Sequence, residues 1–215
     1  MKPIVLLGGT FDPVHIAHLR VALEAAEILD AHVRLMPANT PPHRPAPVAS
    51  AAQRTAMLER AIAGQERLSV DARELKRAGP SYTIDTLIEL REESPHGQSI
   101  ALLLGDDAFA GLPTWHRWRE LFELAHVVVM TRPGHGGELP RELADEVERR
   151  RGGVGAVAGA AAGHVVPIAV TPLEISASYV RGILAAGRDA RWLVPDVLIE
   201  DEGMLAVYRG VGGGV

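Results

Sequence analysis

Six short and almost wholly apolar runs, separated by longer amphipathic segments, constrain the fold of this chain more than any other feature. The runs predict strands at residues 4–7, 32–36, 68–70, 100–104, 125–130 and 164–170. Helical spacing predicts helices at residues 17–29, 51–63, 83–92, 117–124, 141–150 and 176–186. Because strands alternate with helices and lack polar alternation, we predict a doubly wound, parallel α/β sheet with helices on both faces. In such sheets ligands bind at the carboxyl ends of the strands, near the switch point.

Composition limits the classes of protein to which the chain can belong. It has 215 residues, 47% hydrophobic and 23% charged, with no cysteine and a formal net charge of -5. We expect one domain at residues 1–209 and a frayed tail at 210–215. The lack of cysteine excludes disulfides, thiolate zinc sites and a cysteine nucleophile. The acidic balance disfavours a nucleic-acid partner, although local cations can still bind a small anion. No apolar run approaches the ~20 residues that span a bilayer, so we expect a cytoplasmic protein without a membrane partner.

The first predicted strand ends in Gly8-Gly9-Thr10, and a predicted helix follows it. Glycine lets the backbone approach a bulky anion, and a helix N-terminus attracts phosphate. His15 and His18 are three residues apart, a spacing that brings side chains together on a helix and could offer both imidazoles to a phosphate. The pattern is neither the Gly-x-Gly-x-x-Gly fingerprint nor a Walker loop. A tight turn with two surface histidines is one alternative, and a zinc site, for which no third ligand is evident, is another.

A second candidate phosphate site lies at the start of the last long helix. Ser176 can cap that helix, and Ser178 and Arg181 share one of its faces. A hydroxyl, a helix dipole and a guanidinium would together hold a polyphosphate. Taken alone, the segment would be interpreted as an ordinary capped helix with a solvated arginine.

Further candidates lie at the other predicted strand ends. Asn39, His43 and Arg44 belong to a proline-rich loop at residues 37–47, which could meet an anion or simply be a rigid exposed loop. Tyr82 and Thr83 precede a helix whose N–H groups could accept a carboxylate, or they form a plain capping turn.

Three candidates follow the fourth and fifth predicted strands. Gly105-Asp106-Asp107 could bind ribose hydroxyls, although a metal is the competing interpretation of the aspartate pair. Trp115 is the better candidate to stack on a heterocycle, whereas Trp118 is expected in the core. Arg132 closes the fifth strand and could contact a phosphate.

Both phosphate motifs resemble signatures of the nucleotidylyltransferase superfamily. Residues 8–18 are similar to Gly-Gly-Thr-Phe-Asp-Pro-x-His-x-Gly-His, with Ala17 in place of the last glycine. Residues 175–181 are similar to Ile-Ser-Ser/Ala-Thr/Ser-x-Ile/Val-Arg. The resemblance implies a Rossmann-like nucleotidylyltransferase fold, and transfer of a nucleotidyl group with release of pyrophosphate. It implies catalytic roles for His15, His18 and Arg181. It also implies ATP contacts for Gly8, Gly9, Thr10, Phe11, Ile175, Ser176 and Ser178.

The remaining motifs resemble those of the bacterial nicotinate-nucleotide adenylyltransferases. The similar segments are residues 37–44, 74–83, 105–107, 113–115 and 132–134. The resemblance implies that ATP and nicotinate mononucleotide give nicotinate adenine dinucleotide and pyrophosphate, a step of NAD biosynthesis. Mg²⁺ would arrive on the ATP phosphates without protein ligands. ATP ribose would be bound at Gly105 and Asp107, and the mononucleotide by Asn39, His43, Arg44, Tyr82, Thr83, Trp115 and Arg132.

Two other functions and three structural questions stay open from the sequence. A phosphopantetheine adenylyltransferase and a non-catalytic nucleotide sensor share the two phosphate motifs. A helix N-terminus at Thr83 favours nicotinate over nicotinamide mononucleotide without deciding between them. An oligomer is possible. The Gly- and Ala-rich residues 152–163 are expected to form a mobile surface loop.

Overall fold

The protein is described by a computed structural model that covers residues 1–39, 46–77, 79, 81–131, 138–201 and 203–210. Its strands are β1 (Ile4–Gly9), β2 (His32–Pro37), β3 (Leu68–Val70), β4 (Ile100–Gly105), β5 (His126–Thr131) and β6 (Val165–Ala169). Its helices are α1 (Ile16–Ile28), α2 (Ala51–Ala61), α3 (Thr83–Glu93), α4 (Asp106–Ala110), α5 (Leu121–Leu124), α6 (Arg141–Arg150), α7 (Val154–Gly159), α8 (Ala177–Ala185) and α9 (Asp196–Glu200). Short 3₁₀ turns occupy Arg73–Lys76, Leu112–Thr114, Trp118–Glu120 and Ala206–Tyr208.

The strands form one parallel sheet in the order β3-β2-β1-β4-β5-β6. The chain first builds outward from β1 to β3 and then crosses to the other side of β1 to continue with β4. The switch point therefore lies between the carboxyl ends of β1 and β4, where open α/β sheets bind their ligands.

Successive residues of a strand point to opposite faces of the sheet, and helices cover both faces. Val5 and Leu7 of β1 belong to a core cluster that also contains buried residues of α1, α2, α7, α8 and α9. Leu6, between them, belongs to a second cluster with buried residues of α3, α4, α5 and α6. The predicted α/β fold class is confirmed, and so is the buried position of Trp118.

All six predicted strands and the six predicted helical regions are present, with small shifts at their ends. The prediction of one helix over residues 117–124 is wrong in detail. Arg117 has a left-handed backbone with φ 53°, so a 3₁₀ turn and the short α5 replace a continuous helix. Of the predicted tail at residues 210–215, all but the first residue lie outside the described part of the chain, and the single domain remains a prediction.

The Gly- and Ala-rich segment is not the surface loop that its composition predicts. It contains α7, and Val157 within that helix is fully buried. Backbone carbonyls of the segment accept hydrogen bonds from Ser99 Oγ, at 2.5 Å, and from an Arg91 nitrogen, at 2.6 Å. His126 Nε2 lies 3.0 Å from a third carbonyl, that of Ala160. Donors from three neighbouring segments therefore satisfy backbone carbonyls of this segment and hold it against the rest of the fold.

In the part of the chain that the structure describes, every helix is too short or too polar to traverse a bilayer.

Candidate active site

The first phosphate motif lies at the carboxyl end of β1 and turns directly into α1. His15 is the N-cap of α1, with an extended backbone at φ -140° and ψ 169°, and His18 lies in the first turn. Their rings stack with centroids 3.6 Å apart and an interplanar angle of 21°. The sequence correctly predicted that the two side chains meet. The two rings meet because His15 caps the helix that contains His18, and not because both residues lie on one face of that helix.

A backbone hydrogen bond determines which nitrogen of His18 carries the proton. The His15 N–H donates to Nδ1 of His18 at 3.3 Å, so Nδ1 is the acceptor and the proton of the neutral ring resides on Nε2. Nδ1 of His15 is buried and has no hydrogen-bond partner among the described residues. A buried polar atom without a protein partner is a feature that a ligand can satisfy.

Both imidazoles are neutral at physiological pH in the protein alone. Burial lowers the pKa of His15 from 6.5 to about 4. Burial, and secondly the charge of His15, lowers the pKa of His18 to about 3. A triphosphate would meet neutral N–H donors, which can strengthen their hydrogen bonds as negative charge develops.

We expect the protein to lose stability as the pH falls from 7 to 5. The pKa values of both imidazoles are lower in the folded chain than the ordinary histidine value of 6.5, so the unfolded chain binds more protons in this range. The stabilising contribution is complete above about pH 6.5 and is lost as the pH falls toward 4. Urea unfolding at pH 7 and pH 5 measures the loss. A His15→Gln/His18→Gln variant should show a smaller pH dependence, and an equal dependence would contradict the lowered pKa values.

Phe11 packs against His18 and has a strained backbone conformation. Its backbone is left-handed, with φ 50°, which is rare for a bulky residue, and its side chain is 1% exposed. The ring meets His18 edge-on, with centroids 4.9 Å apart. A Cβ at Gly9 would lie 2.9 Å from Cζ of this ring, so glycine is required there by packing. A Cβ at Gly8 would meet no described protein atom within 4 Å.

The two glycines should therefore respond differently to alanine. Gly9→Ala crowds the Phe11 ring, which contacts His18, and should lower both the melting temperature and the turnover. Gly8→Ala should leave the melting temperature unchanged and raise the KM for ATP, because only an approaching phosphate would meet its methyl group. Thermal unfolding and steady-state kinetics on both variants test this. Equal destabilisation of the two would contradict it.

The second motif meets the first through Arg181. Ser176 is the N-cap of α8, as predicted, and its Oγ accepts from the Tyr179 N–H at 3.2 Å. Arg181 donates from Nη1 to the backbone carbonyl of Asp12 at 2.7 Å, and from Nη2 to Ser178 Oγ at 3.1 Å. The guanidinium thus lies against the turn between β1 and α1. Ile175, also predicted for ATP, precedes the cap and packs partly buried on the core.

A buried carboxylate joins α1 to the segment that follows β6 and precedes the second motif. Glu24 of α1, 8% exposed, accepts from the Thr171 N–H at 2.7 Å and from Arg20 at 2.6 Å. Burial alone would raise the pKa of Glu24, but the hydrogen bonds from Thr171 and Arg20 lower it. The Ile16 N–H, at the other end of α1, donates to the Leu193 carbonyl at 2.9 Å. Sequence reasoning missed Glu24, because a glutamate on a helix carries no signal of its partner.

Arg54 is a second residue that the sequence did not indicate. It is 2% exposed, and its Nη1 donates to the carbonyls of Thr10, at 2.7 Å, and Ala38, at 2.9 Å. Burial lowers its pKa, and the nearby Asp12 opposes that change. The guanidinium therefore joins the ends of β1 and β2 and fixes Thr10, one of the predicted ATP contacts.

Four of the predicted mononucleotide residues, Asn39, Tyr82, Thr83 and Trp115, lie in the described part of the chain. Asn39 follows β2 and donates from Nδ2 to the carbonyl of Arg77 at 3.3 Å. Tyr82 is the N-cap of α3 and directly precedes Thr83, and its ring contacts that of His116 with centroids 4.6 Å apart. His116 adjoins Trp115, which is partly buried on the second core cluster.

The segment after β4 begins a short helix. Gly105 is the N-cap of α4, and Asp106 and Asp107 form its first turn. Asp107 is exposed, whereas Oδ2 of Asp106 is buried and has no partner in the described residues. Among the described residues no cluster of three or more His, Cys, Asp or Glu side chains could hold a metal ion. His43, Arg44 and Arg132 lie outside the described residues.

The whole-chain comparisons agree with this architecture. Residues 6–183 match the family model described as cytidylyltransferase-like. A nicotinic acid mononucleotide adenylyltransferase of Plasmodium falciparum, solved in complex with NaAD, shares the fold with a TM-score of 0.67 at 17% identity, over 95% of this chain and 98% of that chain. The family match and the fold place the chain in the cytidylyltransferase-like class of α/β nucleotidyltransferases.

Proteins with much higher sequence identity to this chain identify its family within that class. A protein of Pseudomonas paraeruginosa strain PA7, named probable nicotinate-nucleotide adenylyltransferase, is 50% identical over 200 residues, covering 92% of this chain and 93% of the relative. A protein of the same name from Halorhodospira halophila is also 50% identical, covering 92% and 91%. The chain belongs to the nicotinate-nucleotide adenylyltransferase family.

Proposed function

We propose that the protein transfers the adenylyl group of ATP to nicotinate mononucleotide, giving nicotinate adenine dinucleotide and pyrophosphate. The observation that carries the proposal is the meeting of the two phosphate motifs, in which Arg181 of α8 donates to the backbone of Asp12 at 2.7 Å. That contact brings the guanidinium of α8 against the turn that precedes α1 and its stacked histidines. The family membership supports the choice of reaction.

The reaction needs no covalent intermediate and no general base. The phosphate of the mononucleotide is already an oxyanion, and its oxygen attacks the α-phosphorus of ATP in line with the leaving group. The bond from the α-phosphorus to the bridging oxygen breaks, and pyrophosphate leaves with the electron pair. The protein positions the reactants and stabilises the developing charge. His15 and His18 act on the reacting phosphates, while Arg181, Ser176 and Ser178 hold the leaving group.

The donors gathered at this site suit an anion and not a bare cation. They are imidazole nitrogens, a guanidinium and backbone N–H groups, whereas Mg²⁺ takes oxygen ligands. We therefore assign Mg²⁺ to the oxygens of the ATP phosphates, where it neutralises part of the charge of pyrophosphate. Asp107 and Gly105 are assigned to the ATP ribose. The cysteine-free sequence suits the reducing cytoplasm, in which we place the enzyme.

The mononucleotide is assigned to the ends of β2 and β4 and the start of α3. Tyr82 and Thr83 present the first N–H groups of α3 to the nicotinate carboxylate. Trp115, the sequence neighbour of the His116 whose ring contacts Tyr82, is assigned to stack on the pyridine ring. Asn39, His43, Arg44 and Arg132 are assigned to the rest of the mononucleotide.

Pyrophosphate release with Mg-ATP and a panel of acceptors tests the proposal. The panel contains nicotinate mononucleotide, nicotinamide mononucleotide and phosphopantetheine. We expect the highest kcat/KM with nicotinate mononucleotide, and a product with the mass of nicotinate adenine dinucleotide. A preference for phosphopantetheine would assign a different adenylyltransferase. No release with any acceptor would indicate a nucleotide sensor.

A further inference from the structure

The carboxylate of Asp12 is a buried junction that the catalytic assignment does not use. Asp12 is 4% exposed. Its Oδ2 accepts from the Val48 N–H at 2.8 Å, and its Oδ1 accepts from the Ala49 N–H at 2.9 Å and from the Tyr208 hydroxyl at 2.7 Å. Arg181 adds an ion pair to Oδ2 at 3.8 Å and a hydrogen bond to the backbone carbonyl.

These contacts join four distant segments of the chain. Tyr208 is 196 residues from Asp12, in the last 3₁₀ turn of the described chain. Val48 and Ala49 lie 36 and 37 residues away, where the chain enters α2 after the proline-rich segment. Asp12 itself lies between Gly8-Gly9 and the histidine pair. One carboxylate therefore ties the candidate triphosphate site to the segment that precedes α2 and to the C-terminal part of the domain.

The Tyr208 hydroxyl can act in this junction only as a donor. The side chain is buried, with 4% of the residue exposed. Burial, and secondly the hydrogen bond to Asp12, raises the pKa of Tyr208, so the phenol stays protonated at every pH at which the enzyme would work. Its O–H occupies one lone pair of Oδ1 and restricts the rotation of the carboxylate. Oδ2 is then left oriented toward Arg181 and Val48.

We propose that Tyr208 is a positioning residue for the adenylyl transfer. Its hydroxyl orients the Asp12 carboxylate, and the carboxylate in turn orients the Arg181 guanidinium and the turn that carries the histidines. Tyr208 touches no substrate in this scheme. The inference rests on the proposed function, because it assigns Arg181 to the pyrophosphate. The C-terminal 3₁₀ turn is thereby part of the catalytic apparatus and not only of the core.

Tyr208→Phe tests the proposal, since it removes one oxygen and keeps the ring in the core. The matched control is Ser99→Ala, which also removes one buried hydroxyl bond, that of Ser99 Oγ to the Val157 carbonyl at 2.5 Å. Ser99 precedes β4, at the end of the sheet away from the site. Both variants should lose similar amounts of thermal stability. Only Tyr208→Phe should also lose about tenfold or more in kcat/KM for ATP, because small misplacements of charge-stabilising groups are costly.

A binding measurement separates this inference from the proposed function. The affinity for a non-hydrolysable ATP analogue, measured by calorimetry, requires no acceptor. It should fall by about tenfold in Tyr208→Phe. In an Asp12→Asn background the same substitution should have a smaller effect, since the oriented charge is already gone. A Tyr208→Phe protein that binds the analogue like the Ser99→Ala control would overturn the positioning role, whichever acceptor the enzyme uses.

Discussion

Replacing His18 by alanine should lower kcat/KM by about 10³-fold while the protein remains folded. The Nε2–H of His18 is the donor that the backbone of His15 fixes through Nδ1. Loss of one preorganised donor to a developing charge typically costs about 10²–10³ in rate. His18 is only partly buried, so its removal leaves most of the core untouched. Steady-state pyrophosphate release and thermal unfolding on the same preparation measure both effects.

Two further variants test whether the loss of activity is caused by removal of the Nε2–H donor of His18. His18→Gln can present an amide N–H near the position of Nε2, so it should retain more activity than His18→Ala. His96→Ala removes an exposed histidine far along the chain and should change neither property. Near-normal turnover in His18→Ala would refute the assigned role.

Replacing Arg91 by methionine should lower the free energy of unfolding by about 3–5 kcal/mol, the largest stability effect that we expect of an arginine here. The guanidinium donates to three backbone carbonyls, those of Leu124 at 2.7 Å, Ala161 at 2.6 Å and Gln98. It joins α3, the end of α5, the approach to β4 and the Gly- and Ala-rich segment. Burial lowers the pKa of Arg91, and the three accepting carbonyls offset part of the cost of burying the charge.

The matched control for this prediction is Arg151→Met. Arg151 is 71% exposed and pairs with Glu148, 80% exposed, at 3.6 Å. An exposed pair contributes about 0–1 kcal/mol, so the control should unfold close to the wild type. Urea titration gives both values. The account of the 152–163 segment would be wrong if Arg91→Met were no less stable than Arg151→Met.

The sequence predicted the sheet well because each strand is specified locally. The apolar runs stand out from their surroundings, and β-branched or leucine-rich segments flanked by helices have few other structures available. Residues 152–163 carry no such pattern. Their structure depends on donors such as Arg91 and Ser99, which lie 58 to 70 residues away in the sequence. Composition alone therefore predicted a loop where tertiary contacts produce α7.

The site could be predicted to the extent that it is built from contiguous motifs. The glycines and histidines of the first motif and the serines of the second are adjacent in the sequence, so their proximity follows from a strand end and a helix start. Asp12 and Arg54 act through partners at separations of 16 to 196 residues, and Glu24 joins Thr171 across 147 residues. Nothing in a single sequence indicates such pairs. The position of Asp12 inside the first motif was the one sequence feature that pointed to any of these three residues.

The central claim is that a triphosphate is held between the start of α1 and the start of α8. A crystal structure with a non-hydrolysable ATP analogue and Mg²⁺ measures it directly. We predict phosphate oxygens within hydrogen-bond distance of both the His18 Nε2 and the Arg181 guanidinium. Density for the triphosphate at another edge of the sheet, with those two groups solvated, would contradict the account.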